Sequence, residues 1–164
     1  MANEKGKLSV MVEPGKLEYR EYDLPVPDKG ALLVKVIRTN VCGSDVHNWQ
    51  GKVPMKIGTT LGHEMIGRIE RLGEGVTKDN AGVPVAVGDR VVATYFQICG
   101  CCRACVNGDF AVCENTYEFF TTKPEVYPHF HGTFATHYYI QPHQYFYKVP
   151  DDVPDTVAVG ANCA

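Results

Sequence analysis

Apolar and polar positions alternate over short distances along most of this chain, the period of half-buried β-strands rather than of helices. The runs KLEYREYDL (16–24), ALLVKVIRTNVC (31–42), EMIGRIERLG (64–73), DRVVATYF (89–96), TFATHYYIQ (133–141) and QYFYKVP (144–150) are rich in Val, Ile, Tyr, Phe and Thr. Turn signals separate them at 25–30, 73–75, 80–88 and 107–109, the punctuation of a small barrel or sandwich with partly open edges. Helical signals are few. Ser44 and Asp45 are placed to cap a segment that ends at Trp49, and a second helix begins at Pro154–Ala161. The expected fold is therefore mainly β, a partly open barrel with a few short helices. No internal repeat or linker interrupts it, and the chain stops at GANCA within a freshly begun apolar helix. We expect 1–164 to be one domain and the N-terminal fragment of a longer protein.

Composition fits this picture. With 164 residues, 45% of them hydrophobic and 21% charged, the chain can bury one ordinary core. A formal net charge of -3 with scattered Lys and Arg provides no basic field, which argues against a nucleic-acid partner. The N-terminal stretch lacks the roughly 7–15-residue apolar run of a signal peptide, and no stretch approaches the roughly 18 apolar residues of a membrane span. A cytoplasmic setting is expected. In such a reducing compartment, closely spaced cysteines are metal ligands or catalytic groups more often than disulfides, and seven is an odd number to pair.

Five of the seven cysteines lie in CGCCRACVNGDFAVC (99–113). Cys99, Cys102, Cys105 and Cys113 stand as C-x2-C-x2-C-x7-C, with Gly100, Asn107 and Gly108 at the turns that fold a short lobe around one ion. An all-thiolate shell suits a structural zinc site with no open position. An iron-sulfur cluster is the competing reading; its bacterial run closes with a gap of three followed by Cys-Pro, whereas here the gap is seven and Glu114 follows. Cys101 is a spare thiol. Elsewhere, NVCGSDVHNWQG (40–51) offers Cys42, Ser44, Asp45 and His47, TLGHEMIG (60–67) offers His63 and Glu64, and the last residues offer Cys163. Two cysteines and a histidine with one vacant place have the composition of a catalytic zinc site, although spacing alone cannot select them.

The ordered set VCGSDVH, GHE, GDRV, the four-cysteine lobe and Cys163 resembles the zinc-dependent alcohol dehydrogenases of the medium-chain dehydrogenase/reductase superfamily, from about Lys16 to Cys163. The resemblance implies their GroES-like catalytic domain, which in those enzymes precedes a Rossmann domain. The Gly-rich loop of such a domain is missing here, since GEGVTK (73–78) lacks the third glycine. It further implies that Cys42, His63 and Cys163 hold a catalytic zinc and that Ser44 takes the proton of the bound alcohol. His47 would pass it to solvent by way of the cofactor ribose, Asp45 would orient the His63 ring, and Glu64 would approach as an alternative ligand. The implied cofactors are two zinc ions, one structural and one catalytic, and NAD(P) bound mainly outside this chain. The implied partners are an alcohol or carbonyl substrate and further copies of the full-length chain. A polyol or aldehyde reductase of the same superfamily is the near alternative, and a non-catalytic zinc-stabilised binding module the distant one.

Other features are weaker. The stretches 77–91 and 117–140 are longer than the compact family pattern and are expected to shape substrate access or an oligomer contact. His129 and His131 read as loop histidines rather than a third metal site, His137 and His143 as strand or turn residues, and Trp49 as a packing residue. Next to the chain end, where chains fray, Cys163 is expected to be less firmly held than the four-cysteine lobe.

Overall fold

The computed structural model describes residues 4–116 and 121–163. Two sheets make up the framework. The first has the order β2-β1-β4 and consists of β1 (Lys5–Glu13), β2 (Lys16–Asp23) and β4 (Thr59–Thr60). The second has the order β7-β3-β5-β6-β8 and consists of β3 (Leu32–Thr39), β5 (Met65–Leu72), β6 (Arg90–Ala93), β7 (His137–Ile140) and β8 (Phe146–Lys148). All pairings are antiparallel. The sheets do not close into a barrel. They meet along one seam, where Leu8 bridges Ala135 and the Ser9 amide donates to the Phe134 carbonyl at 2.9 Å.

The six predicted strand runs all contain strands, generally trimmed at their ends. Two strands were missed: the two-residue β4 and β1, KGKLSVMVE, whose lysines sit at its start and hide the alternation of the buried Leu8 and Val10. β1 forms a hairpin with β2 through a tight turn in which Gly15 adopts φ 77°, a left-handed conformation that favours glycine.

The strand β3 is covered on both faces, and its side chains alternate between two cores. Leu32 and Val34 join Met65, Ile69, Val91, Tyr138, Ile140 and Phe146 in one cluster. Leu33 joins Leu8, Val10, Leu24, Phe130 and Tyr139 in the other. This explains why 31–42 reads as a nearly continuous apolar run.

Among the described residues the fold also includes the short α-helices α1 (Gly43–Trp49), α2 (Arg103–Val106) and α3 (Asp155–Ala158). Of these, α3 buries Ala158 beside Ile66, Val149 and Val159, which brings the residues after it against the five-stranded sheet. A fourth, smaller cluster of Ile98, Cys105 and Cys113 is the centre of the cysteine lobe.

One expectation needs correction. Trp49 is 40% exposed rather than packed in the core, because α1 is short and presents it outward. The long 77–91 stretch does not border the cavity described below. Asp79 folds it onto β8 by accepting hydrogen bonds from the amides of Ala81, Val83 and Lys148 at 2.9 Å each. Of the other long stretch, residues 117–120 lie outside the described residues, while Thr122, His131 and Tyr138 reach the cavity wall.

Candidate metal centres and cavity

Two groups of possible donor atoms form, each with its atoms within 4.8 Å of one another. The first is Cys99, Cys102, Cys105 and Cys113. Helix α2 and the turns around it wrap these sulfurs inward: Cys102 caps α2 by accepting from the Cys105 amide, and the Cys99 Sγ accepts from the Cys102 amide at 3.3 Å. Cys99 and Cys105 lie 3.9 Å apart and Cys99 and Cys113 3.8 Å apart, far beyond a disulfide bond. Thiolates around one tetrahedral zinc, with Zn–S bonds of about 2.3 Å, lie about 3.8 Å from each other. The set therefore fits a single ion, and a cluster of several irons would need wider sulfur spacing.

Charge leads to the same conclusion. Amides of Cys101 and Cys102 and the Asn115 side chain pull Cys99 down to about 5, whereas burial and the neighbouring sulfurs push Cys105 up to about 12. Four crowded sulfurs cannot all ionise without a cation among them. Cys101 is exposed and outside the group, as its reading as a spare thiol anticipates.

The second group is Cys42, His63, Glu64 and Cys163. Cys42 stands at the end of the segment after β3, immediately before α1, and hydrogen bonds from Ser44 hold its thiol below the ordinary range. Asp45 is buried and accepts from the Cys42 amide at 3.0 Å and from the Gly62 amide at 3.2 Å. Its carboxylate lies 3.5 Å from His63 Nδ1. That contact turns Nε2 toward the sulfurs, and it is the leading reason why the imidazole is held above its ordinary value. Gly62 has to be glycine: φ is 85°, and a Cβ would come within 2.5 Å of Phe134 and Thr133.

Glu64 is buried as well, with Oε2 accepting from Asn40 Nδ2 at 3.1 Å. Cys163 Sγ lies 3.8 Å from Cys42 Sγ, the same tetrahedral edge length. Cys163 is exposed, and its neighbour Asn162 donates to the carbonyls of His63 and Ala93 at 3.0 and 2.7 Å.

This second group opens onto a cavity of about 380 Å³. Ser44, Asp45, Cys42, His63 and Cys163 border it, as does Asn48. His47 is exposed on α1 and does not reach the wall. Sequence reasoning missed Lys56, Tyr95, Gln97, His131 and Tyr138, all of which line the cavity. Burial pushes Lys56 down to about 8 against the pull of Asp45. His129 and His131 do not converge on a metal site among the described residues. His129 Nδ1 faces the Pro124 carbonyl and His131 Nε2 the Val126 carbonyl, at 2.8 and 2.9 Å.

Comparisons with known proteins identify the family. Residues 28–151 match the alcohol dehydrogenase GroES-like domain. The chain is 37% identical to 5-exo-hydroxycamphor dehydrogenase of Pseudomonas putida, over 96% of this chain and 43% of that protein. It is 43% identical to a sorbitol dehydrogenase of Halalkalibacterium halodurans, over 62% of this chain and 28% of that protein. The solved alcohol dehydrogenase of Thermotoga maritima superposes with a TM-score of 0.85 at 27% identity, covering 98% of this chain and 45% of that one. The chain thus spans less than half the length of each of these relatives. With three quarters of its residues inside the matched region and its strands superposing on a solved relative, the chain belongs to the alcohol dehydrogenase GroES-like domain family of the medium-chain dehydrogenase/reductase superfamily.

Proposed function

We propose that this chain is the catalytic domain of a zinc-dependent oxidoreductase that transfers hydride between an alcohol and NAD(P). The observation that carries this reading is the convergence of Cys42, His63 and Cys163 at the cavity. Two thiolates and one imidazole fit zinc and leave a place for a reactant, with Glu64 near enough to serve as an alternative donor. When bound there, zinc supplies Lewis acidity toward an alcohol or carbonyl oxygen.

The residues divide the remaining work. Asp45 fixes the tautomer and ring angle of His63. The Ser44 hydroxyl, at the cavity wall, would accept the substrate's proton as it gives up its own, and His47, exposed on α1, would release a proton to solvent. Cys99, Cys102, Cys105 and Cys113 hold a second zinc that shapes the lobe. The nicotinamide cofactor is bound mainly by a further domain of the whole protein, for which relatives more than twice this length have room. We place the protein in the cytoplasm, in keeping with its seven free cysteines.

Metal analysis tests this reading. The chain is expected to bind two zinc ions, and Cys42→Ser and Cys99→Ser are each expected to lose one. One zinc per chain, unchanged by Cys42→Ser, would instead identify a zinc-stabilised binding module.

A further inference from the structure

We propose that Asn162 and Arg90 are positioning residues for the second donor group: they clamp the segment 150–163 to the two ends of β6 and so set where Cys163 stands relative to Cys42 and His63. This inference rests on the reading of Cys42, His63 and Cys163 as ligands of one ion, and adds what holds the most distant of the three in place. Cys163 is exposed and lies outside the strands and helices. Its sulfur nevertheless stands 3.8 Å from that of Cys42, 121 positions earlier. Something other than its own side chain must fix it there.

At the start of β6, Arg90 reaches the residues that lead into α3. Its Nη1 donates to the Val153 carbonyl at 2.9 Å and to Asp155 Oδ1 at 2.6 Å, and its Nη2 donates to the Pro150 carbonyl at 2.7 Å. The side chain is only 12% exposed. A guanidinium presents its donors in a rigid planar fork, so three acceptors around it orient the turn before α3 in a way that the single ammonium of a lysine does not. From there the chain coils without a break to the ligand. The amides of Val159, Ala161 and Cys163 donate to the carbonyls of Asp155, Ala158 and Gly160 at 3.1, 3.1 and 3.3 Å. Ala158 and Val159 press this coil against Ile66.

At the end of β6 the same coil is pinned a second time. Asn162 Nδ2 donates to the Ala93 carbonyl at 2.7 Å and to the His63 carbonyl at 3.0 Å. A carboxamide nitrogen carries two hydrogens, and here each has its own acceptor. The amide cannot be reversed, because its oxygen would then face two carbonyl oxygens. As it stands, that oxygen is buried without a partner among the described residues, so the side chain acts through its two donations alone. They join the backbone of one donor, His63, to the immediate neighbour of another, Cys163. Asp45 sets the ring of His63, and Asn162 sets its main chain against the Cys163 turn.

The test is metal binding by the full chain, with the four-cysteine lobe as internal reference. Asn162→Ala and the similarly shaped Asn162→Leu are each expected to lower zinc affinity at the second group about 10- to 100-fold in competition with a chromogenic chelator, with less than about twofold change at the lobe. Arg90→Lys is expected to act in the same direction. With cobalt(II) in place of zinc, the part of the thiolate-to-cobalt absorption that Cys42→Ser removes is expected to fall, in the Asn162 variants, toward that of Cys163→Ser. Ile69→Ala, which loosens the core elsewhere, is expected to lower the melting temperature and to leave both affinities and the absorption nearly unchanged. The proposal is overturned, with the reading of the site as a metal centre intact, if the Asn162 variants keep the full absorption and the second affinity, or if both groups weaken in parallel as a general loss of folding would produce. An unchanged second affinity in Arg90→Lys overturns it for Arg90. If the parent binds a single ion that Cys42→Ser leaves in place, the proposal and the reading beneath it both fall.

Discussion

Asp45 shows how much one side chain can carry in this domain. It accepts from two backbone amides, on either side of the ion-binding group, and turns the imidazole of His63. Asp45→Asn should lower zinc affinity at this site by about 10- to 100-fold, with the four-cysteine site unaffected, as measured by competition with a chromogenic chelator. Acidification should act on the same ring. With His63 held above its ordinary value by Asp45, protons compete with the ion already on the acid side of neutrality. Zinc loss from this site should therefore increase as the pH is lowered from 7 to 5, followed with the same chelator. At the residue scale the sequence was informative wherever donors came in motifs: VCGSDVH, GHE and the spaced cysteines. It said nothing of Lys56, Tyr95, Gln97 or Tyr138, which come to the cavity wall only once the chain is folded.

Elements were legible in proportion to their regularity. The alternating runs gave β2, β3, β5, β6, β7 and β8; all but β2 bury at least one face, and β3 and β7 contribute to two cores. β1 was overlooked: its first residues are solvent-facing lysines, and its membership of the core depends on partners more than a hundred residues away, such as Phe134 and Ala135. The helices are too short for periodicity to register, and α2 owes its place to the sulfur donors around it. Ile69 on β5, 1% exposed in the larger core, tests how far strand packing governs stability. Ile69→Ala should destabilise the domain by about 2–5 kcal/mol in chemical denaturation, since the surrounding strands cannot collapse into the gap.

For the molecule as a whole, the half-buried His131 and the buried His137 set a sensitivity to acid of their own. Burial holds His131 and His137 below the ordinary 6.5, for His137 despite the Glu70 carboxylate at 3.2 Å. The unfolded chain therefore takes up protons before the folded one does. Stability from these groups is fully present above 6.5 and declines as the pH falls below it toward their folded values. His63, held above its ordinary value, acts in the opposite direction, so the check is a comparison: between pH 7 and 5.5 the melting temperature of the metal-free chain should fall less, or rise more, in His131→Gln than in the parent.

The two donor groups also differ in how much chain each encloses. Cys99 and Cys113 are 14 positions apart, whereas Cys42 and Cys163 are separated by 121. An ion in the lobe is a local clasp; an ion shared by Cys42 and Cys163 is a cross-link between the two ends of the polypeptide. By loop-closure entropy the longer circuit restrains the unfolded chain by about 2 kcal/mol more than the shorter one. Chelation should accordingly produce two distinct calorimetric signatures. Emptying the first place loosens the lobe and leaves the sheets' melting nearly unchanged, while emptying the second lowers the melting of the entire domain.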